Sequence, residues 1–332
     1  MKLHKIDTKQ PFVGYGESRQ GGRSENQDSF GYSDTKFGLL VTVCDGMGGG
    51  PGGKTASTIA VKEIIDGVIQ ANDDETPANA LLKAIHRANQ ALLAAIEENP
   101  SLKGMGTTCT AVLINKESAI VAHVGDSRVY QLRHHRKVFR TFDHSFVFGL
   151  VKEKVITEEQ ARLSDQSNII TRALGLDAKL EIDITERPYE KGDRFMLCTD
   201  GIHGAMPEKD LVKKATRSKN VGQTVDDIAT QVDGEGRRSG GGHDNLTIAI
   251  IETQKHSILK EKMSTRNKTI LIGIAALLLI SFVFNMSQCS RNKKVTQEMM
   301  FKSFANEQSP ETILTNTEGD TIIIQYIKSQ KN

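Results

Sequence analysis

The strand-like and helix-like segments of this 332-residue chain come in separate blocks, and their order restricts the folds that it can adopt. Two long helices follow the first predicted strand, and two shorter helices precede the last one. A doubly wound parallel sheet needs a crossover helix after most strands, so the order favours an α+β fold built from layers. The predicted strands, rich in Val, Ile, Thr and Phe, are Phe37–Cys44, Thr107–Ile114, Ala119–Val124, Arg128–Leu132, Leu180–Ile184, Arg194–Thr199 and Leu246–Ile251.

The second long helix has a clear predicted beginning. Thr76 can cap it, and Pro77 stands at the first helical position, where proline is tolerated. Apolar residues then recur at steps of three or four and form one stripe, which must pack against a sheet or another helix. The other helices are predicted over Gly53–Gln70, Pro207–Thr216 and Thr224–Val232.

Composition and charge exclude several classes of protein. With 38% hydrophobic and 25% charged residues, the chain can form a sizeable core. The net charge of +2, and the lack of a basic run interleaved with aromatics in the first 250 residues, argue against a nucleic-acid partner. Cys44, Cys109 and Cys198 lie in apolar runs without zinc-binding spacing, which indicates buried thiols in a reducing compartment.

One segment near the C-terminus is typical of a membrane span. Thr269–Met286, TILIGIAALLLISFVFNM, carries no charge and as a helix would be about 27 Å long, near the lower limit for a bilayer core. It is apolar on every face and flanked by Lys and Arg, which favours a span over a buried core helix. The beginning, MKLHKIDTKQ, lacks the apolar stretch of a secretory signal, which predicts that the large N-terminal part stays in the cytoplasm.

These features predict the organisation of the whole chain. We expect a large N-terminal domain over residues 1–254, a basic juxtamembrane linker over 255–268, a transmembrane helix over 269–286 and a short extracytoplasmic tail over 287–332. The expected location is the inner, cytoplasmic membrane, spanned once. In the tail, Glu311–Thr315 and Thr321–Ile327 around a turn at Asn316–Asp320 are predicted either to pair as a small hairpin or to remain partly disordered.

Aspartates at strand ends carry the strongest chemical signal. Asp45 ends an apolar strand in VCDGMGG, Asp200 follows the strand FMLCT, and Asp244 precedes the strand LTIAII. A single Asp-Gly pair is an ordinary turn signal, but its recurrence at several strand ends points to a shared site. Oxygen ligands on rigid strand ends, without neighbouring His or Cys ligands, favour Mg²⁺ or Mn²⁺ over zinc. Two such ions sharing a carboxylate lower the pKa of a water between them.

A phosphate ester would also need a cation for its non-bridging oxygens. Arg19 and Arg23 precede the polar string SENQDS near the beginning of the chain. The planar fork of arginine suits phosphate better than the point charge of lysine. A lone arginine is also a common surface residue, so this feature alone leaves the assignment open.

Together with several other short motifs in order, these residues resemble the metal-dependent protein phosphatases of type 2C, the PPM family, in their bacterial form. The resemblance spans roughly Gly14 to Glu252. It implies an α+β, four-layer α-β-β-α sandwich with two central antiparallel β-sheets flanked by helix pairs, and hydrolysis of phosphoserine and phosphothreonine in proteins. The motifs are SRQGGRSENQD (18–28), VCDGMGG (43–49), GMGTTCTAVLI (104–114), AHVGDSRVYQL (122–132), DHSF (143–146), ITRALG (170–175), DRFMLCTDGI (193–202) and HDNLTIAI (243–250).

The resemblance implies a role for each matching residue. Asp45 would bridge two Mn²⁺ or Mg²⁺ ions, Asp200 and Asp244 would complete the shell of the first ion, and the Gly46 carbonyl would serve the second. Asp126 resembles the residue that, with the position of Asp200, supports a third and weaker metal site in several relatives.

Two further residues complete the predicted site. Asp28 would hold metal-bound water, and Arg23 would bind the substrate phosphate. In the implied mechanism, a bridging hydroxide attacks phosphorus in line while the metals and Arg23 neutralise charge, without a phosphoenzyme. The expected partners are phosphorylated proteins, a cognate serine/threonine kinase that the enzyme opposes in bacterial signalling, and the membrane.

Some positions depart from the family pattern. Met47 stands where many eukaryotic relatives carry a histidine proposed as general acid, so the group that protonates the leaving alkoxide is left open. Gln27 takes a place often held by glutamate, and Gly204 falls where some relatives have an additional third-metal aspartate. The segment Leu163–Asn168 lacks the His-Pro often found before ITRALG.

Histidines and one variable segment need separate interpretation. His123, His144 and His243 are expected to be buried or to support other residues rather than to act in catalysis. Substrate selection is expected in the segment between Gly201 and Gly242, whose RRSGGG stretch is either a mobile basic element or a solvated linker.

Three rival functions remain open at this stage. A pseudophosphatase would bind phosphoproteins without turnover, but the intact aspartates argue against it. A membrane sensor with the external tail as its main functional part is compatible with phosphatase activity. A metal-dependent nuclease or nucleotide hydrolase would need a basic groove or a phosphate-binding GxxxxGK[ST] loop, and the sequence has neither.

Overall fold

A computed structural model of the chain describes residues 3–48, 52–259, 280–281, 311–315 and 321–325. The chain divides into two units, Met1–Glu261 and Lys262–Asn332. In the first unit the strands are β1 His4–Ile6, β2 Phe12–Arg19, β3 Asp28–Thr35, β4 Gly38–Met47, β5 Gly106–Thr107, β6 Cys109–Ile114, β7 Ala119–Val124, β8 Arg128–Arg133, β9 Arg136–Arg140, β10 Asp183–Arg187, β11 Arg194–Cys198 and β12 Leu246–Thr253. The helices are α1 Gly52–Gln70, α2 Pro77–Glu98, α3 Phe146–Lys152, α4 Glu158–Arg162, α5 Asp200–His203, α6 Glu208–Arg217 and α7 Val221–Arg238, with a 3₁₀ turn at Pro100–Leu102.

Two antiparallel sheets form the centre of this unit. One has the order β1-β2-β12-β11-β8-β9, and the other has the order β10-β7-β6-β4-β3, with β5 paired to β4. One apolar cluster lies between the sheets, a second between α1, α2 and the β4 sheet, and a third between α6, α7 and the β12 sheet. The predicted α+β architecture with two antiparallel sheets is therefore confirmed, and the three clusters give it four layers.

The second helix begins as predicted. The Thr76 hydroxyl accepts a hydrogen bond from the Asn79 N–H, and Pro77 is the first residue of α2. Leu81, Ile85 and the rest of the predicted stripe are fully buried as far as Leu92. This burial fixes α2 against α1 and the β4 sheet.

Several strands and short helices were not predicted. The omitted strands are β1, β2, β3 and β9, and the omitted helices are α3, α4 and α5. The strand predicted over Leu180–Ile184 instead covers Asp183–Arg187, where it pairs with β7. Helix α7 is also longer than its predicted core, because it continues to Arg238.

The second unit contains an antiparallel strand pair, β13 Glu311–Thr315 and β14 Thr321–Gln325, with Ile313 opposite Ile323. The hairpin alternative for the tail is thus confirmed over these residues. Within the described parts of the chain, no helix is both long and apolar enough to cross a membrane. The predicted span over 269–286 lies outside the described residues except for Ile280 and Ser281, and it stays a prediction.

Candidate active site

One open cavity of about 430 Å³ lies where several strands end at the same edge of the two sheets. Asp45 comes from the end of β4, Asp126 from the turn between β7 and β8, Asp200 from the beginning of α5, and Asp244 from the residues before β12. Residues far apart in sequence are therefore brought to one place by the pairing of β4, β8, β11 and β12 with their neighbours. The cavity is lined by Arg23, Ser24, Glu25, Gln27, Asp45, Gly46, Met47, Thr108, Asp126, Asn168, Ile170, Asp200, Asp244 and Asn245.

Asp28 lies behind this lining rather than in it. Its Cα pairs with that of Asp45 across β3 and β4, and the residue is only 2% exposed. The hydroxyls of Thr199 and Thr247 donate to its Oδ2 at 3.0 and 2.7 Å. Its Oδ1 is buried and has no hydrogen-bond partner among the described residues. Asp28 therefore has one oxygen fixed by the protein and one oxygen left for a ligand.

The carboxyl groups in and behind the cavity have unusual electrostatics. Burial raises the pKa of Asp28 from its ordinary value of 3.8 to about 7 and that of Asp200 from 3.8 to about 6. Burial, followed by repulsion from neighbouring aspartates, raises the pKa of Asp45 and Asp126 well above the ordinary value. The cavity thus gathers carboxyl groups whose negative charges oppose one another, an arrangement that a bound cation would relieve.

The donor set fits hard divalent cations. Asp28 Oδ1 and Asp200 Oδ1 are buried oxygens without hydrogen-bond partners among the described residues, and every charged ligand candidate is a carboxylate. Gly46 must be glycine, since a Cβ there would lie 2.0 Å from the carbonyl oxygen of Gly53 and 2.7 Å from that of Gln27. This close packing leaves no room for a side chain at residue 46, between the backbone and the carboxylates.

Arg23 is the arginine that faces the cavity. Its Nη2 donates to Asp244 Oδ2 at 2.8 Å, and its side chain is 55% exposed. Arg19 instead pairs with Glu17 at 2.7 Å and Asp226 at 3.1 Å, outside this cavity. The structure therefore separates the two candidates: Arg23 can reach an anion in the cavity, and Arg19 is engaged elsewhere.

Asn245 was not singled out from the sequence, although its side chain organises the loop that carries Arg23. Its Nδ2 donates to the carbonyls of Gln20 and Glu25, both at 2.8 Å, and its Oδ1 accepts from the Gln27 N–H at 2.8 Å. One buried amide thus holds both ends of the loop. Only its position beside Asp244 in the sequence could have drawn attention to it.

The segment expected to select the substrate is mostly helical. Residues 201–242 mostly form α5, α6 and α7, and Arg237 and Arg238 end α7. Gly240, Gly241 and Gly242 have φ values of 103°, 74° and 75°, so the stretch after α7 is a short glycine link. The segment after α4 also lines the cavity, through Asn168 and Ile170. Substrate selection by residues 201–242 stays a prediction.

A second group of possible ligands lies outside the cavity. Among the described residues, His123, His144 and Asp183 bring their ligand atoms within 4.8 Å of one another. Arg172 already occupies the cationic position, with its Nη1 3.3 Å from Asp183 and 3.4 Å from His144. His144 Nδ1 accepts from the Gly125 N–H at 3.1 Å, so its proton is on Nε2, 3.2 Å from Asp183. His144 and Asp183 are therefore already paired with each other and lie beside Arg172.

Two stacked antiparallel sheets with aspartates and an arginine around one edge cavity are an arrangement suited to phosphate ester hydrolysis. Comparison with known proteins agrees. The family model described as "Protein phosphatase 2C" matches residues 15–236. The chain is 33% identical over 243 residues to the serine/threonine phosphatase stp of Listeria monocytogenes, which covers 70% of this chain and 93% of that protein.

Solved structures agree as well. The crystal structure of the Mycobacterium tuberculosis serine/threonine phosphatase PstP/Ppp superposes with a TM-score of 0.65 and 30% identity, over 73% of this chain and 99% of that one. The catalytic domain of the phosphatase PstP in complex with two manganese ions gives a TM-score of 0.61 and 29% identity, over 73% and 97%. The chain belongs to the protein phosphatase 2C family and is a protein serine/threonine phosphatase.

Proposed function

We propose that the chain hydrolyses phosphoserine and phosphothreonine in proteins with the help of two divalent cations, Mn²⁺ or Mg²⁺, and that a third site of lower affinity involves Asp126. The convergence of Asp45, Asp126, Asp200 and Asp244 on one cavity carries this proposal. The homologous PstP catalytic domain with two manganese ions supports it. Bound ions would supply an activated water and neutralise charge on the phosphate.

The chain's own residues would divide the remaining work. Asp45, Asp200, Asp244 and the Gly46 carbonyl would hold the ions, and Asp28 would orient water through its unpaired Oδ1. Arg23 would exchange its contact with Asp244 for the substrate phosphate, since its side chain is half exposed and carries a bidentate donor fork.

The central test is release of inorganic phosphate from a phosphothreonine peptide by the full-length chain. We expect turnover with Mn²⁺ or Mg²⁺, its loss in EDTA, and its return when Mn²⁺ is added in excess, because the buried carboxylates need a cation to act together. A pseudophosphatase would bind the phosphopeptide and release nothing. Hydrolysis that continues unchanged in EDTA would contradict the metal-dependent mechanism.

Arg23 provides a second prediction. Arg23→Ala should raise KM for the phosphopeptide roughly 10- to 100-fold, since it removes charge-assisted hydrogen bonds to phosphate. The KM of Arg23→Lys should lie between those of the native protein and Arg23→Ala, because lysine keeps the charge and loses the planar fork. Arg87→Ala is the matched control, as Arg87 also pairs with a carboxylate, Glu63 at 2.8 Å, on the face of α1 and α2. An unchanged KM in Arg23→Ala would show that Arg23 does not bind the substrate phosphate.

We further propose that the chain opposes a serine/threonine kinase at the membrane. The proposal is supported by the phosphatase family assignment and by the uncharged segment 269–286. The inner membrane is the proposed location, with residues 1–254 in the cytoplasm and residues 287–332 outside.

The cysteines allow a test of this orientation. Cys44, Cys109 and Cys198 are buried and free, whereas Cys289 follows the apolar segment and belongs to the proposed outer tail. A membrane-impermeant maleimide added to intact cells should label the chain in the membrane fraction, and Cys289→Ser should abolish the labelling. Labelling that appears only after lysis would place the tail inside, and recovery of the chain in the soluble fraction would refute the anchor.

A further inference from the structure

The hydroxyl of Thr108 occupies a place that a backbone carbonyl normally fills. The pairing of β4 with β5 sets Gly46 opposite Thr107, so Asp45 lies opposite Thr108 in the same register. In a regular antiparallel pair of this kind, each N–H donates to the opposite carbonyl. Here the Thr108 N–H donates to the Asp45 carbonyl at 2.8 Å, but the Asp45 N–H donates to the Thr108 side chain, Oγ1, at 2.9 Å.

A second hydroxyl completes this irregular pair. Thr107 Oγ1 donates to the Asp45 carbonyl at 2.8 Å and lies 3.1 Å from the Thr108 carbonyl, which the Asp45 N–H does not use. The backbone of Asp45 is therefore held on both its N–H and its carbonyl by the two threonines. Both are fully buried or nearly so, at 0% and 2% exposure, so water does not replace these bonds.

Thr108 also reaches the turn that carries Asp126. Its Oγ1 lies 2.8 Å from the Oγ of Ser127, the next residue after Asp126, and Ser127 is fully buried. The turn approaches closely because Gly125 has a φ of 102° and a Cβ there would lie 2.7 Å from the Thr108 Cγ2. A chain of two hydroxyls thus joins the backbone of Asp45 to the residue beside Asp126.

We propose that Thr108 is a positioning residue of the cation site, which sets the place of Asp45 relative to Asp126 through Ser127. The inference rests on the proposed function in that these carboxylates bind divalent cations. Groups that hydrogen-bond behind a metal ligand typically change metal affinity when they are removed, because the ligand loses its orientation. Thr108 accepts a hydrogen bond from the backbone N–H of Asp45. It therefore fixes the position of the whole residue rather than that of one carboxylate oxygen.

The test measures Mn²⁺ binding to the full-length chain by calorimetry, without substrate. Thr108→Val keeps the shape and removes the hydroxyl, which leaves the Asp45 N–H and the Ser127 Oγ without their shared partner. We expect the Mn²⁺ dissociation constant to rise roughly 10- to 100-fold. Thr108→Ser restores the hydroxyl and should bind Mn²⁺ nearly as tightly as the native protein.

Thr110→Val is the matched control. Thr110 is equally buried and lies two residues after Thr108, in β6, which pairs with β4. Its hydroxyl donates to the Val43 carbonyl at 3.1 Å. Its loss should lower the melting temperature and leave Mn²⁺ affinity unchanged. Ser127→Ala should weaken Mn²⁺ binding, and its effect combined with Thr108→Val should be less than additive, because both hydroxyls act through one chain.

The outcomes separate this inference from the proposed function. Native Mn²⁺ affinity in a folded Thr108→Val protein, or an equal loss in Thr110→Val, would overturn the inference. If Thr108→Val does not fold, native Mn²⁺ affinity in Ser127→Ala overturns it instead. A native protein that binds Mn²⁺ and releases no phosphate from a phosphopeptide would refute the proposed function and leave the role of Thr108 in metal binding intact.

Discussion

Asp45→Asn should lower Mn²⁺-dependent phosphate release by a factor of order 10³ and, in the same preparation, stabilise the metal-free protein. The first effect follows because Asp45 is the one carboxylate proposed to contact both ions. The second follows because burial, and then repulsion from Asp28, Asp200 and Asp126, raises the pKa of this carboxyl well above the ordinary range. An amide avoids this electrostatic cost, and we expect a gain of about 2 kcal/mol in the free energy of unfolding in EDTA at neutral pH.

The two readouts together identify a site that trades stability for function. Turnover is measured with the phosphothreonine peptide, and stability by urea unfolding in EDTA. Asp66→Asn is the control, because Asp66 makes a surface pair with Lys62 at 2.7 Å on α1. It should retain turnover and gain no stability. Loss of turnover together with a marked loss of metal-free stability in Asp45→Asn would mean that Asp45 has a structural role and would contradict the proposed site.

The local sequence pattern was enough to predict the helices and strands in which buried apolar residues recur at a regular spacing. Helix α2 follows from its cap at Thr76 and its apolar stripe, and β7 has the predicted bounds, Ala119–Val124. Strands β2 and β3 were missed because glycines interrupt their pattern. In the fold, a Cβ at Gly16 would lie 2.6 Å from the ring of Phe30, and one at Gly31 would lie 2.5 Å from Val61. These glycines permit close packing between layers, which only the tertiary structure reveals.

The carboxylates of the site could be chosen from the sequence, but the groups that orient them could not. Asp45, Asp200 and Asp244 follow from strand ends and from family resemblance. The hydroxyls that hold Asp28 come from Thr199, just after β11, and from Thr247 in β12, which lie 171 and 219 residues further along the chain. Threonine is common in and beside strands, so the sequence around these two residues does not mark them as part of a site. Only the pairing of β11 with β12 brings them together.

Metal-free protein should lose stability as the pH rises from about 6.5 to 8, opposite to the usual behaviour of surface carboxylates in salt bridges. Burial raises the pKa of Asp28 to about 7, so this group keeps a proton in the folded protein that the unfolded chain has already released, and burial raises the pKa of Asp45 and Asp126 in the same direction. Their stability contribution is complete below the unfolded pKa near 4 and is lost as the pH rises through each folded value. Each carboxyl group that remains protonated in the folded state contributes a decrease of about 1.4 kcal/mol per pH unit.

Between pH 6.5 and 8 the buried histidines affect stability less than they do at lower pH. Burial lowers the pKa of His123 from 6.5 to about 3 and that of His203 well below 6.5. Their stability contribution is therefore lost as the pH falls through about 6.5, and above that pH it opposes the effect of the carboxyl groups only over about the first pH unit. Below that pH the histidines and aspartates act in opposite directions, and the slope has no single cause.

Urea unfolding at pH 6.5, 7.25 and 8, in EDTA and in Mn²⁺, measures the effect directly. In EDTA the free energy of unfolding should fall by up to about 3–4 kcal/mol per pH unit if two or three of the carboxyl groups contribute. Mn²⁺ should abolish or reverse the slope, because it binds the deprotonated carboxylates and stabilises the folded state by mass action. The double variant Asp28→Asn, Asp45→Asn should flatten the slope in EDTA. A flat profile in the native protein, identical with and without Mn²⁺, would mean that the aspartates neither repel one another nor share a cation.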